Sequence, residues 1–350
     1  MKKPKRSGSL RAETITLAHG AGGKAMRDLI DDVFVASFDN EQLNNLEDQA
    51  RFPIEELSKI GNRLAMTTDS YVVDPLFFPG GDIGKLAVTG TVNDLAVGGA
   101  KPLYLTCGMI IEEGFSVKDL RRIVSSMKAT ADQAGVKIVT GDTKVVHRGA
   151  ADKLFINTAG VGVIPKQINI AADLARPGDV VICNGYIGDH GAAIVDARGE
   201  LAIENTIETD CMPLNGLIEK MLQVCPEIHC MRDATRGGIA TLLNEFSQSS
   251  ECAIRIHEDQ LPIRDQIRGM CEILGLDPLY LANEGKLIAL VPAEKADELL
   301  TVMRNHHAGV DSAIIGEVFE HTTNHVILKT SFGGDRIVDM LVGEQLPRIC

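Results

Sequence analysis

Apolar, strand-like runs in this chain stop repeatedly on an aspartate, and most of those aspartates lie in motifs that contain glycine. Residues 63–68 run into Asp69, 85–92 into Asn93 and Asp94, and 136–140 into Gly141 and Asp142. Asp82 and Asp233 lie in the glycine-flanked turns PGGDIGK and MRDATRGG. Neighbouring strands deliver their ends to one edge of a sheet, so carboxylates in that position can converge on a single cleft. The segment 117–134 supplies a helix to pack on such a sheet. Val117, Leu120, Ile123, Val124, Met127, Ala131 and Ala134 recur at steps of three and four and form one apolar face. Ser116 caps its start, Asp119 follows in a capping-box-like placement, and Gly135 ends it.

Further strands are predicted at 103–111, 154–164, 180–183, 287–291 and 314–317, and a last one after Gly333 that leads into a tail. Helices are predicted from near Gly191, over 215–224, and after Gly238. This mixed, non-alternating order indicates an α/β (α+β) fold in two layers. A chain of 350 residues, 45% of them hydrophobic, can fill two ordinary cores, since one core stops growing near about 250–300 residues. The turn Arg176-Pro177-Gly178-Asp179 marks a division. The expected parts are a glycine-rich extension over 1–50, a first domain over 51–170, a second α/β domain over 171–332 and a mobile tail over 333–350. Fully extended, that tail covers at most roughly 60 Å, with Gly343 as a hinge.

A net charge of −13 argues against nucleic acid or an anionic membrane as the main partner. No apolar run reaches the roughly 20 residues a bilayer span needs. The basic start (Lys2, Lys3, Lys5, Arg6, Arg11) precedes no signal-type apolar core, so a cytoplasmic protein is expected. The eight cysteines include no CxxC pair. Cys225 and Cys230 with His229 between them lack the second pair of a zinc site, and reduced thiols are the simpler reading. One thiol stands apart, because Cys350 is the last residue of the chain.

Several aspartates around a nucleotide suit magnesium, which takes hard oxygen ligands and keeps water and phosphate in its shell. Taken singly, each aspartate reads first as a turn former or a helix cap, and only together do they favour a functional cluster. No stretch completes a P-loop, since Pro79 to Lys85 continues into Leu86. The loops HGAGGK (from His19) and GYIGDHG (from Gly185) precede helices and are compatible with anion binding or with simple turns. Asp189 in the second loop would need a cation between itself and a phosphate.

The motifs TTDSYVVDPLFFPGGDIGKLAVTGTVNDLAVGGAKP, GDTKVVHRG, RDATRGG, ANEGK and the terminal PRIC resemble the HypE family of hydrogenase maturation proteins. The resemblance runs over nearly the whole chain beyond the first dozen residues. The aspartate motifs also resemble the wider ATP-binding superfamily of aminoimidazole ribonucleotide (AIR) synthetase, selenophosphate synthetase and thiamine-monophosphate kinase. The terminal PRIC separates the HypE branch. No cysteine precedes Cys107, which speaks against a selenophosphate synthetase. A non-catalytic scaffold with metal-binding aspartates is the other alternative.

The resemblance implies a two-domain AIR-synthetase-like fold that dimerises through strands of its N-terminal domain and binds ATP and Mg2+ between domains. It implies dehydration of a carboxamide on the terminal cysteine to a thiocyanate, the source of cyanide for [NiFe] hydrogenase iron. Cys350 would carry the group, with Lys144 and Glu284 near it, Glu284 being the candidate base. Asp69, Asp82, Asp94 and Asp142 would surround magnesium and phosphate, with Asp189 and Asp233 as further nucleotide contacts. Implied partners are the carbamoyltransferase HypF, the iron-carrying HypC–HypD complex and a second copy of the chain. Cys350 is expected to be unactivated when free, its α-carboxylate raising the thiol pKa and Arg348 opposing this in part.

Overall fold

The computed structural model describes residues 10–199, 207–343, 346 and 348–350. Lys2, Lys3, Lys5 and Arg6 of the basic start, and Pro347 of the tail, lie outside the described residues. The N-terminal half is built on a four-stranded sheet in the order Arg63–Tyr71, Leu154–Ile164, Lys101–Glu112, Lys137–Val146. The first two pairings are antiparallel. The last is parallel, joined by a crossover through the helix Val117–Ala134. That helix forms as its spacing predicts, with Ser116 Oγ accepting from Asp119 N at 3.2 Å and Gly135 left-handed at φ 70°.

The segment 85–92 is a correction to the sequence reading. It is not a strand but the middle of the helix Ile83–Val97, buried at every position except Lys85 and Asp94. A helix apolar all round has no polar stripe, so periodicity cannot separate it from a buried strand. Its glycines permit the burial. A Cβ on Gly84 would stand 2.4 Å from Ile123 O, and one on Gly90 2.4 Å from Tyr71 Oη. The strands also run further than predicted, through Asp69 to Tyr71 and through Asp142 to Val146.

The C-terminal half is a seven-stranded sheet in the order Asp335–Val338, Val326–Lys329, Ala253–His257, Ala313–Phe319, Asp179–Cys183, Leu287–Pro292, Cys230–Asp233. Its pairings are antiparallel except for Val326–Lys329 against Ala253–His257. One apolar cluster lies under the helix Gly238–Ser249. Another lies under the helices Asn215–Val224 and Ala293–Arg304 and takes in Ala96 and Val97 from the N-terminal half. The two halves are therefore packed together where the helix Ile83–Val97 ends. No helix among the described residues is long and apolar enough to cross a membrane.

Candidate active site

Side-chain alternation along Arg63–Tyr71 decides where Asp69 goes. Residues i and i+2 share a sheet face, so Thr67, Asp69 and the buried Tyr71 all face the helix Ile83–Val97. Thr67 Oγ1 donates to Asp94 Oδ2 at 2.9 Å, which brings the Asp94 carboxylate beside this strand. From the other half, Asp233 ends its strand opposite Leu287. Glu284 lies three residues before Leu287, so both carboxyls emerge at the same end of the sheet. The buried Asn93 joins the halves there, donating to Met212 O at 3.2 Å and Glu284 O at 3.3 Å and accepting from Leu214 N at 2.8 Å.

The electrostatics confirm that the acids gather. Burial first, then the Asp94 charge, pushes Asp233 up to about 7. Asp94 is raised by burial, against the Thr67 hydrogen bond, with Asp69 adding to the rise. Glu284 is 4% exposed and is raised well above the ordinary carboxyl range by burial, then by Asp210, Asp233, Asp69 and Asp94. Its Oε1 is buried without a hydrogen-bond partner. A buried carboxyl with no donor has its ionised form disfavoured.

The loop that carries Glu284 is fixed by a residue the sequence reading missed. Asp210 accepts from Glu284 N at 3.0 Å, Gly285 N at 3.1 Å and Lys286 Nζ at 3.1 Å, all within the interior. The Lys286 ammonium and the Glu284 amide offset its desolvation and hold its carboxyl below the usual range. Nothing in the local sequence around Asp210 distinguishes it; only the register of distant loops does.

The chain terminus lies in the same cleft. Arg348 to Cys350 run antiparallel to 72–74, with Val72 N donating to Cys350 O at 3.0 Å and Asp74 N to Arg348 O at 3.2 Å. Arg348 Nε returns a bond to Val72 O at 2.9 Å, and Arg198 Nη2 holds Arg348 O at 3.1 Å. Ile349 is buried in the N-terminal core. A cavity of about 310 Å3 opens beside Cys350, bordered by Val72, Arg236 and Ala282. Burial pushes the Cys350 thiol up to about 12, with Glu284 and Asp69 adding to the rise and Arg236 opposing it. The opposing cation is thus Arg236, not Arg348 as the sequence suggested, because the Arg348 guanidinium is engaged by Asp152 and Val72 O.

The remaining predicted residues are placed differently. Asp82 is 6% exposed and caps the helix Ile83–Val97, its Oδ1 accepting from Gly84 N at 2.8 Å and Lys85 N at 2.9 Å. Asp142 borders a separate apolar cavity of about 290 Å3 beside Phe34, Phe38 and Met109. Lys144 Nζ rests on Asp142 Oδ1 at 2.6 Å, with both side chains 62% exposed, instead of on the tail. Asp189 is paired with Arg264 at 3.2 Å, whose guanidinium stacks on Tyr186. HGAGGK forms a turn of 3-10 helix, Leu17–Gly20, and then the short helix Lys24–Leu29. His229 bonds Asp179 at 2.8 Å, and all eight cysteines are free thiols.

Asp69, Asp94 and Asp233 offer hard oxygen donors whose mutual repulsion a divalent cation would relieve, which fits magnesium. Among the described residues no three ligating side chains form a ready metal cage. A cation here would therefore complete its shell with phosphate oxygens and water, as magnesium does.

Two domains meeting at a carboxylate-lined cleft define the class. The family model "AIR synthase related protein, N-terminal domain" matches residues 47–164, and its C-terminal counterpart matches 176–329. The chain is thus a two-domain protein of the AIR synthase related class. Carbamoyl dehydratase HypE of Rhodobacter capsulatus is 56% identical over 342 residues, covering 98% of this chain and 100% of the relative. A crystal structure of hydrogenase maturation protein HypE in complex with ATP superposes with a TM-score of 0.91 at 48% identity, covering 96% of this chain and 99% of that one. The HypE of a solved HypE–HypF complex is 48% identical, with a TM-score of 0.78 and coverage of 89% and 99%. The chain belongs to the HypE family of hydrogenase maturation proteins.

Proposed function

We propose that this chain is an ATP-dependent carbamoyl dehydratase whose substrate is a carboxamide on its own Cys350. The observation that carries this reading is the docking of Arg348 to Cys350 in the inter-domain cleft, where the charges of buried Glu284 and partly buried Asp69 act on the terminal thiol. A terminal cysteine bound there is already at the acids that would act on its cargo.

The overall change converts S–CO–NH2 to S–C≡N, losing the oxygen and both nitrogen-bound protons. ATP would supply the phosphoryl group that turns the departing oxygen into phosphate, and magnesium would neutralise the charge on that group. The chain's own residues do the rest. Backbone amides of Val72 and Asp74 fix the tail, so the carboxamide reaches the cleft in one orientation. Glu284, in its ionised form, takes protons from nitrogen; its raised pKa makes it a strong enough base for that weak acid. Arg236 steadies negative charge at the carbonyl oxygen. Asp69, Asp94 and Asp233 would hold the metal, and Asp82 and Asp142 are proposed to face phosphate only through magnesium. Lys144, whose exposed ammonium pairs with Asp142, is the candidate to steer phosphate or to hold the oxyanion of the carboxamide.

Partners follow from the chemistry. Cys350 is half-buried and its backbone is paired with Val72, so the tail would leave the cleft to meet a carbamoyltransferase of the HypF type, the kind of partner a relative binds in a solved HypE–HypF complex. A HypC–HypD-like iron carrier would take the cyanide. Leu64 and Met66 are 62% and 76% exposed on the outer sheet face and are proposed to be covered by a second copy. Such a protein works in the cytoplasm, where its thiols stay reduced. The test is phosphate release from ATP with carbamoyl donor and carbamoyltransferase present. Wild-type protein releases phosphate in proportion to loaded tail, and Cys350→Ala does not; equal release by both would end the self-modifying reading.

A further inference from the structure

The imidazole of His190 is packed against the docked tail and has no task in the proposed dehydration. His190, in the first turn of the helix Asp189–Ala197, has 0% exposure, and both ring nitrogens are engaged. Nε2 lies 2.8 Å from Ile349 O and Nδ1 2.8 Å from Thr209 Oγ1. A carbonyl oxygen can only accept, so Nε2 carries the proton. Burial holds the ring below its ordinary pKa, which leaves Nδ1 bare to accept the Thr209 hydroxyl proton. Thr209 Oγ1 in turn accepts from Cys211 N at 3.1 Å. Between Thr209 and Cys211 lies Asp210, which holds the amides of Glu284 and Gly285. A continuous set of bonds therefore runs from the loop bearing Glu284 to the penultimate carbonyl of the tail. Phe78 stands edge-on to the imidazole at 5.6 Å between centroids and limits its rotation.

We propose that His190 is a positioning residue that registers Cys350 against Glu284 by gripping the Ile349 carbonyl. This rests on the dehydratase reading above for its catalytic consequence, but not for its geometry. Strand-like pairing with Val72 and Asp74 fixes the carbonyls of Cys350 and Arg348, which point one way. The Ile349 carbonyl points to the opposite side, toward the second domain, and His190 is what meets it there. Without that bond the peptide between Ile349 and Cys350 is free to turn, and the thiol or its carboxamide swings away from Glu284. A buried carbonyl would also be left without its donor.

The experiment uses full-length protein carrying His190→Ala, His190→Gln or Thr209→Val. Each is carbamoylated by the transferase, freed of it, and then given ATP in a single turnover read by intact mass. Carbamoylation should match wild type, because the tail is outside the cleft for that step. Dehydration should slow about tenfold or more in His190→Ala and recover in part in His190→Gln, whose amide can donate to Ile349 O. Thr209→Val keeps the fold's shape and should show a smaller loss. Without ATP, iodoacetamide should label Cys350 faster in His190→Ala than in wild type. If His190→Ala does not fold, the Thr209→Val and His190→Gln arms decide. Wild-type rates of both dehydration and labelling in the folded variants would overturn the proposal. Failure of wild type itself to dehydrate would instead overturn the dehydratase reading, and the labelling arm would still test the grip on the tail.

Discussion

A carboxyl group buried as deeply as Glu284's burdens folding and favours proton transfer at once. Its folded pKa is raised, so between the unfolded value near about 4.3 and the folded one the native state holds a proton that the unfolded state releases. Stability from this group is therefore fully present below about pH 4 and declines as pH rises, until the folded pKa is passed. Glu284→Gln removes that decline. We expect it to raise stability near pH 8 by about 1–3 kcal/mol while lowering dehydration at least about a hundredfold. Denaturant melts at pH 5 and pH 8, beside single-turnover rates, check both. A variant less stable at pH 8 than wild type would contradict the burial argument. The sequence motif ANEGK pointed to Glu284, but not to what makes it basic. Its depth, its orphaned Oε1 and its support from Asp210 come from loops that meet only in three dimensions. His190 and Arg236 escaped for the same reason, although each stands inside or beside a motif already singled out.

At the scale of elements, the helix Ile83–Val97 carries most of the difference between expectation and fold. Val117–Ala134 was legible because its buried and exposed positions alternate with helical period, and its caps are those expected. Ile83–Val97 is enclosed by the sheet, by the neighbouring helix and by the second domain, so no face is polar. Asp82 has two readings here, helix cap and magnesium contact, and asparagine separates them because it caps nearly as well as aspartate but lacks the charge. Asp82→Asn should keep the wild-type melting temperature yet weaken Mg-ATP binding several-fold by calorimetry. Asp82→Ala should in addition lose about 1 kcal/mol of stability. Unchanged nucleotide affinity in Asp82→Asn would leave the residue a cap alone. Gly84→Ala forces a methyl onto the Ile123 carbonyl and should cost about 1–3 kcal/mol in the same melts.

For the whole molecule, the mixed α/β architecture was visible in pattern and turns, whereas the position of the chain's end was not. A tail of ordinary composition carries no signal for docking, and only pairing with 72–74 and burial of Ile349 reveal it. The outer face of the N-terminal sheet presents Leu64, Met66 and Ile110 to solvent in the single chain. Met66→Glu should therefore convert a dimer to a monomer in sedimentation velocity, while an unaltered mass would exclude this face as the contact. The central claim concerns the end of the chain, and its mass tests it most directly. Full-length protein incubated with carbamoyltransferase and carbamoyl donor should gain one carbamoyl group on the peptide ending in Cys350, and then lose one water on adding Mg-ATP. A carbamoylated terminus that keeps its mass through complete ATP hydrolysis would contradict the account.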